Sequence, residues 1–576
     1  MKTIRKRLLF LLIATVFVCL SVFVVSCGDN NAGNGGAGGG GNDGGDSGAP
    51  GENQGGGENP GAGEPEEEIY IDPYVYPELD GGGRDFKFYN VPENVWEYYT
   101  DLAFEEPPSD ILDDAVYKRN RFVEEKFNIN IVEINMPGND MWNHNPDVRR
   151  MLMAGDDTYD AIFIPASFNG TVGAMLSEGL FHDLRSIPTM DLDKDYWNQT
   201  MLKEAAIGSG DQIFYAGSSI NLFTTQAMAC VFFNQDIMQN TGIDLPYSLV
   251  KEGKWTYDAF MQYQRSGASL NGASSFDWEQ SGTAIYGLTA HNFSANALLA
   301  ASGARYIASE NGRPALAVRE SRFFDALQKI GEILDPNGGL YLYANDYSDY
   351  IFHYENIFRN GRALMAICEL KAANVFRAME SNFGIVPMPK YDENQEDYQT
   401  LLINQTPVLI MPHTNSDIEF TGAVLDALAY VSNRDVVPVL FDVAVSQKQL
   451  RNEESIEMLE LIKNRGSFEI GMAYGWTNTL VEAVATSLGE AQPMDVASQI
   501  DRHFDRMQQN IERTLERFEK YLRKNKINGA DFIIRPCSFL FSPYPITFTF
   551  IISFTSESFP ANPSGILPLI SQTVYA

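Results

Sequence analysis

Basic residues are scarce in this chain: 42 Lys and Arg stand against 76 Asp and Glu, a formal net charge of −34 at pH 7. Such a surface repels phosphate backbones and anionic headgroups, which excludes nucleic acid as a partner and adhesion to membranes by charge. A neutral or cationic ligand is weakly favoured. Histidine and cysteine are also few, six and five. The histidines are scattered without a helical pair for a metal, and the cysteines show no zinc spacing. There is no His-Glu-x-x-His and no Gly-x-Ser-x-Gly elbow. Asp191-Leu192-Asp193-Lys194-Asp195 begins like a calcium loop, but Tyr196 stands where the turn glycine belongs and Leu202 where the bidentate Glu belongs, so it reads as a solvated acidic loop. A glycan-cleaving enzyme would need two carboxylates about 5–10 Å apart, and nothing in the sequence demonstrates that pair. No catalytic residue, metal ligand or cofactor is therefore assigned, and the chain is not read as an enzyme.

What is present begins at the N-terminus. Lys2, Arg5, Lys6 and Arg7 precede an uncharged apolar run from Leu8 to Val25, then Ser26 and Cys27, the layout of a secretory signal. The run borders on the length of a membrane-spanning helix. The deciding detail is Val24-Val25-Ser26-Cys27, which resembles the bacterial lipobox, whose cysteine is lipidated and becomes the mature N-terminus. Residues 1–26 are accordingly expected to be a signal peptide and Cys27 a lipid anchor on the extracytoplasmic face of the cell membrane. Two acyl chains suffice for stable attachment. Gly28 to Glu68 is almost wholly Gly, Asn, Asp, Glu, Ala and Pro, with no aromatic residue, and cannot pack a core; residues 27–80 as a whole read as a lipidated cysteine and a flexible linker, a tether. As a random coil it would span roughly 35 Å. Its glycine runs match phosphate loops by composition alone.

Behind the tether, roughly 450 residues suit two lobes better than one core. Short apolar strands alternate with amphipathic helices, the signature of an α/β layer fold with parallel strands. Strands are expected at Asp85–Tyr89, Ile129–Ile134, Tyr159–Ile164, Met228–Phe233, Ala363–Cys368 and Val408–Met411, and helices at Asp110–Phe127 and Pro146–Ala154. Pro165 to Gly170, at the carboxyl end of a strand buried on both faces, lies where open α/β sheets place ligands. Asp495 to Lys524 carries Val496, Ile500, Phe504, Met507, Ile511, Leu515, Phe518 and Leu522 at helical spacing, a core-facing stripe. Cys230 and Cys368 sit in apolar strand-like runs and read as buried free thiols, with a disulfide between them the alternative.

Several ordered segments resemble the extracellular solute-binding proteins of ABC importers, family 1, which includes maltose- and other sugar-binding proteins. They are Met153-Ala154-Gly155-Asp156 with Tyr159-Asp160, Glu178 to Leu184, Phe232-Phe233-Asn234-Gln235-Asp236, Gly253 to Phe260, Tyr286-Gly287-Leu288, Phe358 to Met365, and Gly384 to Pro389. Tyr257 and Ala259 depart from the family's Trp-Thr-Trp-Asp-Glu-Phe. Trp255 and Asp258 read as a helix start with Thr256 as N-cap. The resemblance implies a two-lobed periplasmic-binding-protein-like fold over 81–526 that closes on its ligand about a hinge. Crossings are implied near Leu222–Ala229, Met365–Cys368 and Leu402–Pro407. Lobe 1 would then hold 84–226 and 368–404, and lobe 2 the residues 227–367 and 405–526. It further implies capture of a small polar solute, a mono- or oligosaccharide, for delivery to the permease subunits of an importer. A ligand-sensing lipoprotein presenting its closed form to a membrane receptor or sensor kinase is the alternative.

Sugar hydroxyls need amides and carboxylates, and their C–H faces need aromatic platforms. Ser167, Phe168 and Asn169 follow the buried strand, and Asn292 and Phe293 follow Tyr286-Gly287-Leu288. Glu369 follows an implied crossing and could bridge two hydroxyls, or pair with Lys371 or Arg362. Tyr474 and Trp476 share a glycine-containing loop. These eight are the expected ligand contacts. Trp142 and His144 would form part of the rim or a plain surface loop, and Trp197 is read as packing. Ile527 to Ala576 holds three charged residues among many Phe, Ile, Ser and Pro, with no clear period, and reads as a non-native extension such as readthrough after a frameshift.

Overall fold

The computed structural model describes residues 72–526 apart from 94–98, 139–140, 167–170, 208–211, 311–312, 347, 404, 446–452, 464, 468 and 492–494. The expected signal, lipid anchor, tether before residue 72 and extension from 527, with the site residues Ser167, Phe168 and Asn169, lie outside the described residues. The end of the expected tether is corrected: residues 72–80 pack on the first lobe, where Tyr74, Tyr76 and Leu79 lie against its core and the Tyr74 hydroxyl donates to Asp426 at 2.9 Å.

Two principal sheets are built from β1 (Arg84–Asn90), β2 (Ile129–Asn135), β3 (Ala161–Pro165), β4 (Ala229–Asn234), β5 (Tyr286–Ala290), β6 (Tyr341–Tyr343), β7 (Ala363–Glu369), β8 (Phe383–Val386) and β9 (Pro407–Ile410). The first sheet runs in the order β9-β3-β1-β2 and the second β8-β4-β7-β5-β6. Every residue of β3, β4, β5, β7, β8 and β9 is buried, as expected for runs covered by helices on both faces. The fold is α/β with two lobes, one around each sheet.

Local chemistry sets the helix ends. Asp110 caps α1 (Ile111–Phe127) by accepting from the Leu112 and Asp113 amides, and Asn128, in the left-handed region at φ 50°, closes it. Leu112, Ala115, Val116, Val123 and Phe127 form its buried stripe. Thr256 caps α2 (Tyr257–Gly267) through the Ala259 amide, the helix start read from the sequence. Trp255, beside it, is fully buried and donates its indole N–H to the Pro387 carbonyl at 2.9 Å.

Three expectations need correction. The sheets are mixed rather than parallel, because β9 joins β3 antiparallel and β4 joins both β7 and β8 antiparallel. Met365–Cys368 is no crossing, since it lies inside β7, paired with β4 on one side and β5 on the other. The lobe boundaries shift with it: β8, placed in the first lobe by sequence, pairs with β4 of the second, whereas β9 belongs to the first sheet. The chain crosses near 222–229 and 402–407 as expected. It crosses again where α3 (Ile418–Val431), packed in the first lobe's core, passes through a π-helical turn at Ser432–Val436 into α4 (Val437–Val445). That helix touches α1 and the Ala373–Phe376 turn of the second lobe. A π turn inside a helix is a rare feature that recurs at functional positions.

The last described helix, α5 (Val496–Lys526), buries Ile500, Met507, Ile511 and Phe518, the stripe expected of it. Cys230 and Cys368 face one another across β4 and β7 as free, fully buried thiols, and burial pushes both well above the usual thiol range. Trp197 is packing: it is fully buried and donates to Asp426 at 3.0 Å. No described helix is long and apolar enough to cross a membrane.

Candidate functional site

A cavity of about 1610 Å³ opens between the lobes. Its first-lobe wall carries Tyr99, Thr100, Asp101, Asp113 and Trp142, and its second-lobe wall His291, Asn292, Phe293, Tyr350, Tyr354 and Glu369. Leu222, Phe223 and Gln226 from one crossing and Leu401, Ile403 and Gln405 from another complete the lining.

The first wall depends on how the 99–103 loop is held. Glu133, near the end of β2, accepts the Leu102 and Ala103 amides at 2.7 and 3.1 Å, the Asn90 amide group at 2.7 Å and the Tyr99 hydroxyl at 3.2 Å. Burial raises this carboxyl, and the Asn90, Leu102 and Ala103 donors pull the other way. Asp113 is raised by burial and by the charges of Asp110 and Asp101. Trp142 on this wall is 59 % exposed. His144 is corrected: it is fully buried, stacks on Tyr89 with centroids 5.3 Å apart, and has Nε2 2.8 Å from the Phe163 carbonyl oxygen. Burial pulls it down to about 4.

On the second wall, Glu369 ends β7, buried, and still lines the cavity. Its partner is His291, with Nε2 to Oε1 at 3.4 Å, rather than the Lys371 or Arg362 weighed from sequence. Tyr354 donates its hydroxyl to Oε2 at 3.4 Å. Burial alone would raise this carboxyl, but His291 and then Lys371 outweigh it and hold it down at about 2. Beside it the His353 ring stacks on Tyr350, centroids 4.9 Å apart, while Tyr350 donates to Glu355 at 2.9 Å. Burial and the nearby His291 pull His353 down to about 4.

Asn292 and Phe293 line the cavity. The Asn292 side chain donates to Glu490 at 3.0 Å, and Gly489 presses so close that a Cβ there would lie 2.1 Å from the Asn292 carbonyl oxygen. Tyr474 and Trp476 are corrected. They form a stacked pair with centroids 4.5 Å apart, 6 % and 3 % exposed, and neither lines the cavity. Trp476 donates to the Thr514 hydroxyl of α5 at 2.9 Å, and Tyr474 packs against Gly173 of the first lobe. A loop aromatic and a core aromatic look alike in sequence. Tyr99, Thr100, Asp101, Tyr350 and Tyr354 were missed. One available signal was Glu133, a carboxylate set between Val132 and Ile134 in a strand, because such a group must be holding donors when it is buried.

The wall's ionisable groups lean acidic: Asp101, Asp110, Asp113, Glu355, Glu369 and Glu482 against Lys371 and Arg377. Among the described residues no group of three or more His, Cys, Asp or Glu is placed to hold a metal ion. Chemically, the arrangement offers carboxylates and amides as acceptors beside flat apolar faces.

No family model matches the chain. No curated protein matches it either. Solved structures are similar. The cyclic α-maltosyl-1,6-maltose binding protein of Arthrobacter globiformis aligns at 14 % identity and a TM-score of 0.49, over 75 % of this chain and 99 % of that one. An ABC substrate-binding protein from Listeria monocytogenes in complex with cycloalternan aligns at 11 % and 0.44, over 77 % and 99 %. UgpB from Mycobacterium tuberculosis in complex with glycerophosphocholine aligns at 14 % and 0.46, over 72 % and 100 %.

Proposed function

We propose that this chain is an extracytoplasmic solute-binding protein of an ABC importer, anchored through a lipid on Cys27, and that its ligand is an oligosaccharide held between the lobes. The observation that carries the reading is the makeup of the cleft: Trp142, Tyr99, Phe293, Tyr350 and Tyr354 share its walls with Glu369, Asp101, Asp113 and Asn292. Aromatic faces beside carboxylates suit a molecule with apolar C–H faces and hydroxyl rims. The volume of about 1610 Å³ exceeds the roughly 300–1,000 Å³ of sites for drug-sized ligands, which favours several sugar units over one. Chain crossings in the cleft wall supply the hinge, and a ligand touching both lobes favours the closed population.

Cycloalternan and glycerophosphocholine, each bound in one of the similar structures, are the first compounds to screen. A thermal-shift screen of mono- and oligosaccharides tests the reading, because ligand at about 100 times its dissociation constant adds roughly 2.7 kcal/mol of stability. Stabilisation by an oligosaccharide is the expected result. Stabilisation by glycerophosphocholine alone would replace the carbohydrate with a zwitterionic solute, and no response to any compound would overturn the reading.

A further inference from the structure

Arg119, in the middle of α1, is only 2 % exposed, and burial pulls its guanidinium down to about 9. Its hydrogen bonds go to the Leu102 carbonyl at 3.1 Å, the Ile220 carbonyl at 2.9 Å, the Ser432 hydroxyl at 3.0 Å and the Asn120 side-chain oxygen at 2.8 and 3.0 Å. None of these acceptors is a carboxylate. A buried cation whose hydrogen bonds all go to neutral groups is expensive even with the Glu133 charge nearby, and an apolar side chain of similar length would fill the space at less cost. The return lies in what the acceptors join. Leu102 belongs to the loop that puts Tyr99, Thr100 and Asp101 on the cleft wall, Ile220 leads into the crossing at 222–229, and Ser432 opens the π turn of the crossing helix.

A second bond closes the circuit. The Thr100 hydroxyl donates to the Asn221 side-chain oxygen at 2.9 Å, and that oxygen also accepts the Phe223 amide at 3.0 Å. We propose that Arg119 is a positioning residue that holds the cleft loop 99–103, the 222–229 crossing and the π turn as one unit, so that a ligand seated on the loop acts on the hinge. A planar guanidinium presents its donors in a fixed fork, so moving any one acceptor leaves a buried donor unpaired and disturbs the rest. The proposal rests on the cleft being a closing ligand site. Its test needs no ligand, so the two can fail separately.

Hydrogen–deuterium exchange of the ligand-free full chain reads the coupling in three variants. Ser432→Ala deletes one acceptor and leaves Arg119 in place, Arg119→Lys keeps charge without the fork, and Arg119→Met removes both. The expected result for Ser432→Ala is exchange about fivefold faster at Leu102, Ala103 and 220–223 as well as in the π turn, as for the loss of one net hydrogen bond. Arg119→Lys should fall between wild type and Arg119→Met, and if Arg119→Met does not fold, Ser432→Ala carries the test. Faster exchange confined to 428–436, with 99–103 and 220–223 unchanged, would overturn the proposal.

Discussion

On the wall of the cleft, Nε2 of His291 lies 3.4 Å from Oε1 of Glu369, and this pairing, helped by Lys371, holds a buried carboxyl down at about 2 where burial alone would raise it. Glu369 is therefore a charged acceptor available to a ligand across the neutral pH range. Glu369→Gln keeps its size and removes the charge. Hydrogen bonds to charged groups contribute about 1.5–3 kcal/mol, so affinity for the tightest glycan of the screen should fall about tenfold to a hundredfold. Calorimetric titration checks this, and an unchanged dissociation constant contradicts the assignment.

Trp142→Ala separates binding from stability. With the residue 59 % exposed on the cleft wall, truncation should change stability by no more than about 0.5 kcal/mol. Loss of an aromatic platform worth about 0.5–1.5 kcal/mol should weaken glycan binding severalfold. A lower melting temperature with unchanged affinity would make it a packing residue.

Trp476→Ala should do the reverse. Deleting this buried ring costs about 3–5 kcal/mol in denaturant unfolding. Trp476→Phe keeps most of the volume but loses the bond to Thr514, costing about 1 kcal/mol for that bond. A Trp476→Ala protein of wild-type stability that had lost its ligand would restore the sequence expectation.

These two tryptophans show where sequence reading succeeds and stops. The strands at β3, β4 and β7 and the stripe of α5 were legible because periodicity and unbroken apolar runs are local properties. Glu369 and the Asn292-Phe293 pair were reachable because they follow such runs directly. Tyr474-Gly475-Trp476 carried no local mark of which side faces a core, since that depends on Gly173 and Thr514 from distant segments. The Tyr99–Asp101 wall depends likewise on Glu133 and Arg119, joined to it only by folding. Met365–Cys368 was misplaced because a fully buried run reads the same in mid-sheet and between lobes.

Acid should weaken the fold through two histidines. His144 and His353 are each held down near about 4, below the roughly 6.5 of an unfolded chain, so the unfolded state binds more protons between those values. Their contribution is complete above about pH 6.5 and lost as pH falls towards 4. Glu469 acts oppositely. Burial, with Glu204 nearby, raises it to about 8 against the pull of the Gly471 amide, so its contribution is complete below about 4.3 and lost as pH rises through 8. Melting curves from pH 4 to 9 check both signs. Glu469→Gln should flatten the alkaline decline and leave the acid limb unchanged, and an unaltered alkaline limb would contradict the protonated Glu469.

The central claim is that a solute held between the lobes draws them together. Small-angle X-ray scattering of the purified chain, with and without a saturating amount of the glycan that stabilises it most, measures this directly. The account predicts a smaller radius of gyration on binding, and a smaller response in Glu369→Gln at the same glycan concentration. Saturated binding with no change in the radius would contradict it.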